Sequence, residues 1–172
     1  MDFLKLAEER FSVRKFTGEP LKKEDIEKIL KAAHLAPTGC NFQPFRILVI
    51  ESEEAIGKLK NATRSHFDAP TAMLICYNRD ECWRRPYDGA ESGIYDAAIV
   101  TTHMMLEAKD IGVGSTWVMH FNPEKMKEEF NIPENIVPAA LLVMGYPADD
   151  CTPHPYHSTF RDKKELVFYN RF

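Results

Sequence analysis

Apolar residues recur along this chain with two different periods, and the switches between them predict its elements. Ile26, Ile29, Leu30 and Ala33 are spaced i, i+3, i+4 and i+7, so Lys22 to Leu35 is expected to be a helix with one apolar stripe. Pro37 and Gly39 end it. Before it, Asp2 to Arg10 mixes Phe3, Leu4, Leu6 and Ala7 with charges, the pattern of a short amphipathic helix. Ser12 to Phe16 then alternates, and Thr17-Gly18-Glu19-Pro20 turns the chain. Phe45 to Ile50 and Thr71 to Tyr77 are mostly apolar runs, as buried strands are. Glu53 to Thr63 reads as helix between them. Strand, helix and strand within about 30 residues predict a crossover unit with parallel pairing.

Ser92 to Ile111 is the most informative segment. Ala97, Ala98, Ile99, Val100, Met104, Met105 and Leu106 cover most of a helical circumference. A helix apolar nearly all round is buried on several sides, which here means a central helix, a subunit interface, or both. Gly112-Val113-Gly114 stops it. Ser115 to Phe121 is short and apolar, Pro123 to Phe130 reads as a small helix, and Val137 to Tyr146 as a strand. The final segment, Tyr156 to Phe172, sets Phe160, Leu166, Val167, Phe168, Tyr169 and Phe172 among charges. So apolar a tail is expected to lie against something, such as a second subunit. Arg79 to Gly89 reads as a surface loop. No repeat or linker interrupts the pattern, so residues 1–172 are expected to form a single domain.

Composition narrows the function. The chain has 172 residues, 44% of them apolar and 11% aromatic, which supplies a core and excludes disorder. The net charge of −4 makes nucleic acid a poor partner. No apolar run approaches about 18 residues, so no membrane segment is expected. Charges among the first ten residues do not suit a secretory signal. Cys40, Cys76, Cys82 and Cys151 lack Cys-x-x-Cys spacing, so reduced thiols in a cytoplasmic protein are expected.

Three constellations carry candidate chemistry. In Arg10-Phe11-Ser12-Val13-Arg14 an extended backbone would point Arg10, Ser12 and Arg14 to one side. Two forked guanidinium groups and a hydroxyl there suit a phosphate dianion. By spacing alone, a solvated helix end with surface arginines is the commoner arrangement. The second is Ala36-Pro37-Thr38-Gly39-Cys40-Asn41-Phe42-Gln43-Pro44, between a helix and a strand. Its amides and hydroxyl can read a ring edge that alternates N–H and C=O, as in a flavin pyrimidine. By spacing alone, a turn satisfying its own backbone is slightly favoured. The third, Cys151-x-x-His154-x-x-His157, matches no standard finger and lacks a fourth ligand, so no metal is expected. His34 and His103 read as packed or capping residues. Neither a Gly-rich phosphate loop nor a Ser-His-Asp set occurs.

Taken in order, these motifs resemble the FMN-dependent nitroreductase family over nearly the whole chain. The resemblance rests on Arg10-x-Ser12-x-Arg14, then Ala36-Pro37-Thr38-x-x-Asn41-x-Gln43-Pro44. It continues through Leu106-Glu107-Ala108-x-x-Ile111-Gly112-Val113-Gly114-Ser115-x-Trp117-Val118, Ile132-Pro133, Gly145-Tyr146-Pro147 and Arg161. It implies an α+β, nitroreductase-like fold: a central mixed β-sheet flanked by helices, with a C-terminal arm reaching the partner of a homodimer. FMN would lie in the subunit interface. Arg10, Ser12 and Arg14 would hold its phosphate, helped by Arg161. Pro37, Thr38, Asn41 and Gln43 would line its ring and ribityl chain, some from the other subunit. Trp117 to His120 would lie along the ring, a backbone N–H of Met119 or His120 reaching its reactive nitrogen.

The implied activity is an FMN-dependent NAD(P)H oxidoreductase. It would pass hydride through the flavin to nitroaromatic, quinone or similar conjugated acceptors by a ping-pong mechanism. The flavin carries that chemistry, so no catalytic side chain is expected. Rival readings are a flavin store or sensor without turnover, a reductive dehalogenase-like relative, which would need a long lid, and a zinc-binding structural protein. This chain departs from the family pattern at His120, where a small residue is usual, and at Phe45, where Trp is common. The family's cation near the flavin pyrimidine has Arg64 and His66 as candidates.

Overall fold

A computed structural model describes residues 2–172. The chain runs α1 (Phe3–Glu9), α2 (Lys23–Leu35), a 3₁₀ turn (Gly39–Asn41), β1 (Phe45–Ile50), α3 (Glu53–Ala62) and β2 (Thr71–Asn78). Then follow α4 (Gly93–Asp110), β3 (Gly114–Val118), α5 (Pro123–Phe130), β4 (Ile136–Gly145), a second 3₁₀ turn (Pro155–Ser158) and α6 (Lys163–Leu166). The fold is α+β, as expected.

The strands form one sheet in the order β1-β2-β4-β3. The central pair is buried on both faces: all eight residues of β2 are inaccessible, and eight of the ten in β4. The two faces sort by parity, as a pleat requires. Met73, Ile75, Leu142 and Met144 meet Ile29 of α2 and Val100 and Met104 of α4. Their neighbours Ala72, Leu74, Leu141 and Val143 meet Leu59 of α3 and Met126 of α5. Sealing both faces explains why these strands read as continuous apolar runs.

Two expectations about the sheet need correction. β1 and β2 pair antiparallel, Phe45 opposite Tyr77 and Ile50 opposite Ala72, so there is no parallel crossover. Nor is the sheet mixed in its named strands, since β2–β4 and β3–β4 are antiparallel too. The parallel element among the described residues is a single bridge, Ser12 to Ser115. The physical reason is where α3 docks. It packs beside α5 instead of crossing the sheet, so the chain leaves and re-enters at the same end. Phe67 (φ 50°) and Asp68 (φ 49°) take left-handed turns on the way back.

Helix α4 is central, as its composition predicts. Ala97, Val100, Thr101, Met104 and Ala108 are buried. Gly93 is forced by close approach, because a Cβ there would lie 2.0 Å from the Tyr77 ring. The rest of its apolar circumference stays open: Ile94, Tyr95 and Ile99 face solvent. The tail from Ser158 onward is exposed throughout, with Phe160 at 84%. Among the described residues nothing covers it, so the expectation that it lies against something is unmet by its own subunit.

Candidate functional site

Helix α1 ends at Arg10, whose φ of −69° and ψ of 125° begin an extended segment. Ser12 bridges Ser115, and the Val13 N–H donates to the Ser115 carbonyl at 3.0 Å, so the segment runs beside β3. Val13 is 4% exposed and packs on Gly114, where a Cβ would come within 2.8 Å of it. Val13 turns inward, while Arg10, Ser12 and Arg14 line one cavity of about 570 Å³ together with Phe11. The extended alternative is therefore the right one, and the solvated helix end is not. The Arg14 guanidinium lies 5.9 Å from the centre of the Phe67 ring and donates to the Ser12 carbonyl at 3.3 Å. No carboxylate lines this cavity, so its charge favours anions.

Met119 and His120 stand just past the last paired residue of β3, Val118. Thr63 donates its hydroxyl to the His120 carbonyl at 2.5 Å, and Ser65 Oγ lies 3.2 Å from His120 Nδ1. The Met119 side chain is 62% exposed, with its sulfur accepting from Trp117 Nε1 at 3.2 Å. Segment 63–68 thus buttresses this strand end and carries Phe67 under Arg14. It also carries both candidate cations. Arg64 is exposed, while His66 is half-buried and accepts the Asp68 N–H at 3.0 Å through Nδ1. From Ser115 to Met119 a strand advances about 13 Å, so an anion cradle and an open strand end sit along one edge of the sheet.

The amide-bearing loop is elsewhere. Pro37, Asn41 and Gln43 are exposed and Thr38 is half-buried. Cys40 (φ 48°), Asn41 (φ 59°) and Gln43 (φ 51°) all occupy the left-handed region, a concentration of strain typical of binding loops. Two anchors hold it. Thr38 Oγ1 accepts the Gln43 N–H at 3.0 Å. Asp96 of α4, 2% exposed, accepts from the Gly39 N–H at 2.8 Å and from the Ser92 hydroxyl at 2.7 Å. This loop feeds β1, whereas Ser12 lies beside β3, and those are opposite edges of the sheet. Three strand spacings separate the edges by about 14 Å. The fold therefore gathers Arg10, Ser12, Arg14, Met119 and His120 along one edge and leaves Pro37, Thr38, Asn41 and Gln43 at the other. Arg161 joins neither group, being on the exposed tail.

Sequence reasoning missed Asp96, Thr63 and Ser65 as supports. Asp96 had a signal: an acid one turn after Ser92 in the most apolar helix. Thr63 and Ser65 had none. The thiols hold no surprise. All four cysteines are free, and burial pushes Cys76 up to about 12, so it is inert at neutral pH. Among the described residues no group of three potential metal ligands assembles.

Comparisons with known proteins identify the family and the fold. A family model described as the nitroreductase family matches residues 7–81 and 65–146. The chain belongs to the nitroreductase family. A crystal structure of a nitroreductase family protein from Clostridium difficile superposes with a TM-score of 0.94 at 41% identity, covering 100% of both chains. A relative from Archaeoglobus fulgidus, provisionally named an NADH dehydrogenase/NAD(P)H nitroreductase, is 35% identical over 86% of each chain. An FMN reductase [NAD(P)H] from Bacillus subtilis is 25% identical over 91% of this chain and 73% of its own. The nitroreductase resemblance and the α+β nitroreductase fold are thereby shown.

Proposed function

We propose that this nitroreductase-family chain is an FMN-dependent NAD(P)H oxidoreductase acting on nitroaromatic, quinone or similar conjugated acceptors. The observation that carries the reading is the carboxylate-free cavity into which Arg10, Ser12 and Arg14 converge, on the same sheet edge as the open end of β3. The donor set suits a phosphate: forked guanidinium groups match its oxygens, and the hydroxyl adds a neutral donor. Names among the relatives, an FMN reductase and an NAD(P)H nitroreductase, lie in the same direction. When bound, FMN supplies the hydride transfer between nicotinamide and acceptor. The chain's own residues bind and orient it: Arg10 and Arg14 neutralise the phosphate, and the backbone of Met119 and His120 meets the ring. Pro37, Thr38, Asn41 and Gln43 read the ring edge and ribityl chain. Arg64 offers positive charge, or His66 a neutral Nε2–H donor, toward the pyrimidine, which favours the reduced, anionic ring.

The two residue groups stand at opposite sheet edges, so they reach one ring only when two copies join. The homodimer is thus part of the reading. The open face of α4 and the uncovered aromatic tail, which would also bring in Arg161, supply apolar surface for that contact. We read residues 1–172 as one nitroreductase-like domain, and the four free thiols support a cytoplasmic setting. The decisive test is an absorption spectrum of the purified protein under anaerobic conditions, before and after NADPH. A flavin band that NADPH bleaches and a quinone restores is expected. A colourless protein that takes up no added FMN overturns the reading, and a band that nicotinamides leave unchanged favours a store or sensor.

A further inference from the structure

Both histidines of the motif Cys151-x-x-His154-x-x-His157 border the anion cavity. His154, Tyr156 and His157 line the same 570 Å³ space as Arg10, Ser12 and Arg14. On the far side of Arg14, a second cavity of about 360 Å³ is lined by Ser12, Arg14, Lys15 and again His154. His154 therefore stands between the two. Asp150, which lines this second cavity with His154, is held below the usual carboxylate range by its hydrogen bond from Lys15.

The hydrogen bonds decide what each ring offers. His154 Nδ1 accepts the Tyr156 N–H at 3.2 Å, so Nε2 of the neutral ring must carry the proton. That nitrogen is an N–H donor, useful to an oxyanion and useless to a metal ion. Tyr156 packs edge-on against the ring, with centroids 4.6 Å apart. His157 Nε2 lies 3.0 Å from the Glu8 carbonyl, an acceptor only, so Nε2 again carries the proton. That bond ties the start of the tail to the end of α1, and Phe11 packs on the same ring at 6.3 Å between centroids.

We propose that His154 is a further phosphate ligand of the cofactor site, donating through Nε2, and that His157 positions it by pinning the tail across the cavity mouth. The inference rests on the flavin reading above and deepens it. Arg10, Ser12 and Arg14 supply one wall of the phosphate cradle, and the segment 154–157 supplies the other. Selectivity for a phosphorylated flavin over the bare nucleoside is then divided between the two ends of the chain.

The test is a titration of the purified full chain with FMN and with riboflavin, followed by quenching of flavin fluorescence. Wild type is expected to bind FMN well above riboflavin. His154→Ala is expected to weaken FMN about tenfold, the loss of one hydrogen bond to a charged acceptor, and to leave riboflavin unchanged. His154→Gln, whose amide also donates, is expected to recover part of that loss. His157→Ala is expected to weaken FMN with no change in riboflavin or in far-ultraviolet circular dichroism. A chain that binds neither flavin overturns the flavin reading and this inference together. FMN affinity unchanged in His154→Ala overturns the inference alone, as does an equal loss of riboflavin, which would mark a structural role. One equivalent of zinc by elemental analysis also overturns it.

Discussion

Asp96→Ala probes how the amide-bearing loop is held in its strained shape. The Asp96 carboxylate is buried and accepts two hydrogen bonds, at 2.8 Å from Gly39 and 2.7 Å from Ser92. A hydrogen bond to a charged group contributes about 1.5–3 kcal/mol, so the two together contribute about 3–6 kcal/mol gross. Removing a buried charge also removes its desolvation cost, which offsets part of the loss. The net expectation is about 2–4 kcal/mol of destabilisation, with the Gly39 N–H left unpartnered. Asp96→Asn keeps an acceptor for Gly39 while its amide turns to the Ser92 hydroxyl, and should cost only about 1 kcal/mol. A denaturant titration at constant slope reads these differences as midpoint shifts. In a thermal melt, Asp96→Ala should fall by about 5–15 °C. Flavin affinity should fall with it, because Thr38, Asn41 and Gln43 lose their fixed backbone. A stability within about 0.5 kcal/mol of wild type, or an Asn variant as damaged as the Ala variant, would refute the reasoning.

Three other outcomes are expected. Gly93→Ala drives a methyl to within 2.0 Å of the Tyr77 ring; overpacking of this kind costs about 1–3 kcal/mol or more, and an unchanged melting temperature would contradict the packing of α4 on β2. Cys76 stays protonated to about 12 in the folded chain but ionises near its ordinary 9.0 when unfolded. The unfolded state then binds fewer protons, so stability should fall as pH rises through 9 to 12, by about 1.4 kcal/mol per pH unit. Comparing Cys76→Ala with wild type isolates that slope, and iodoacetamide at pH 8 should label exposed Cys40 and leave Cys76 untouched. Deleting residues 156–172 should shift sedimentation from dimer toward monomer and lower flavin retention; an unaltered dimer would show that the exposed aromatics are not interface.

Much of this protein was legible in its sequence. The helical stripes of α2 and α4 and the apolar runs of β1, β2 and β4 follow from residue periodicity, because a buried face must be apolar wherever it lies. The placing of Ser12 and Arg14 opposite the buried Val13 was equally local: once the backbone is extended, alternation sends them to the other side. Strand direction was not local. Nothing in Glu53 to Ala62 says whether a helix crosses a sheet or folds back beside it; its docking next to α5 decided that, and made β1 and β2 antiparallel. The roles of Asp96, Thr63 and Ser65 also waited on tertiary contacts, since each acts on a residue 55 or more positions away. Which ring nitrogen of His154 and His157 carries the proton was set only when those rings met the Tyr156 amide and the Glu8 carbonyl. A sequence fixes which groups a chain owns, whereas the lone pairs and protons those groups have left to offer depend on what packing sets beside them.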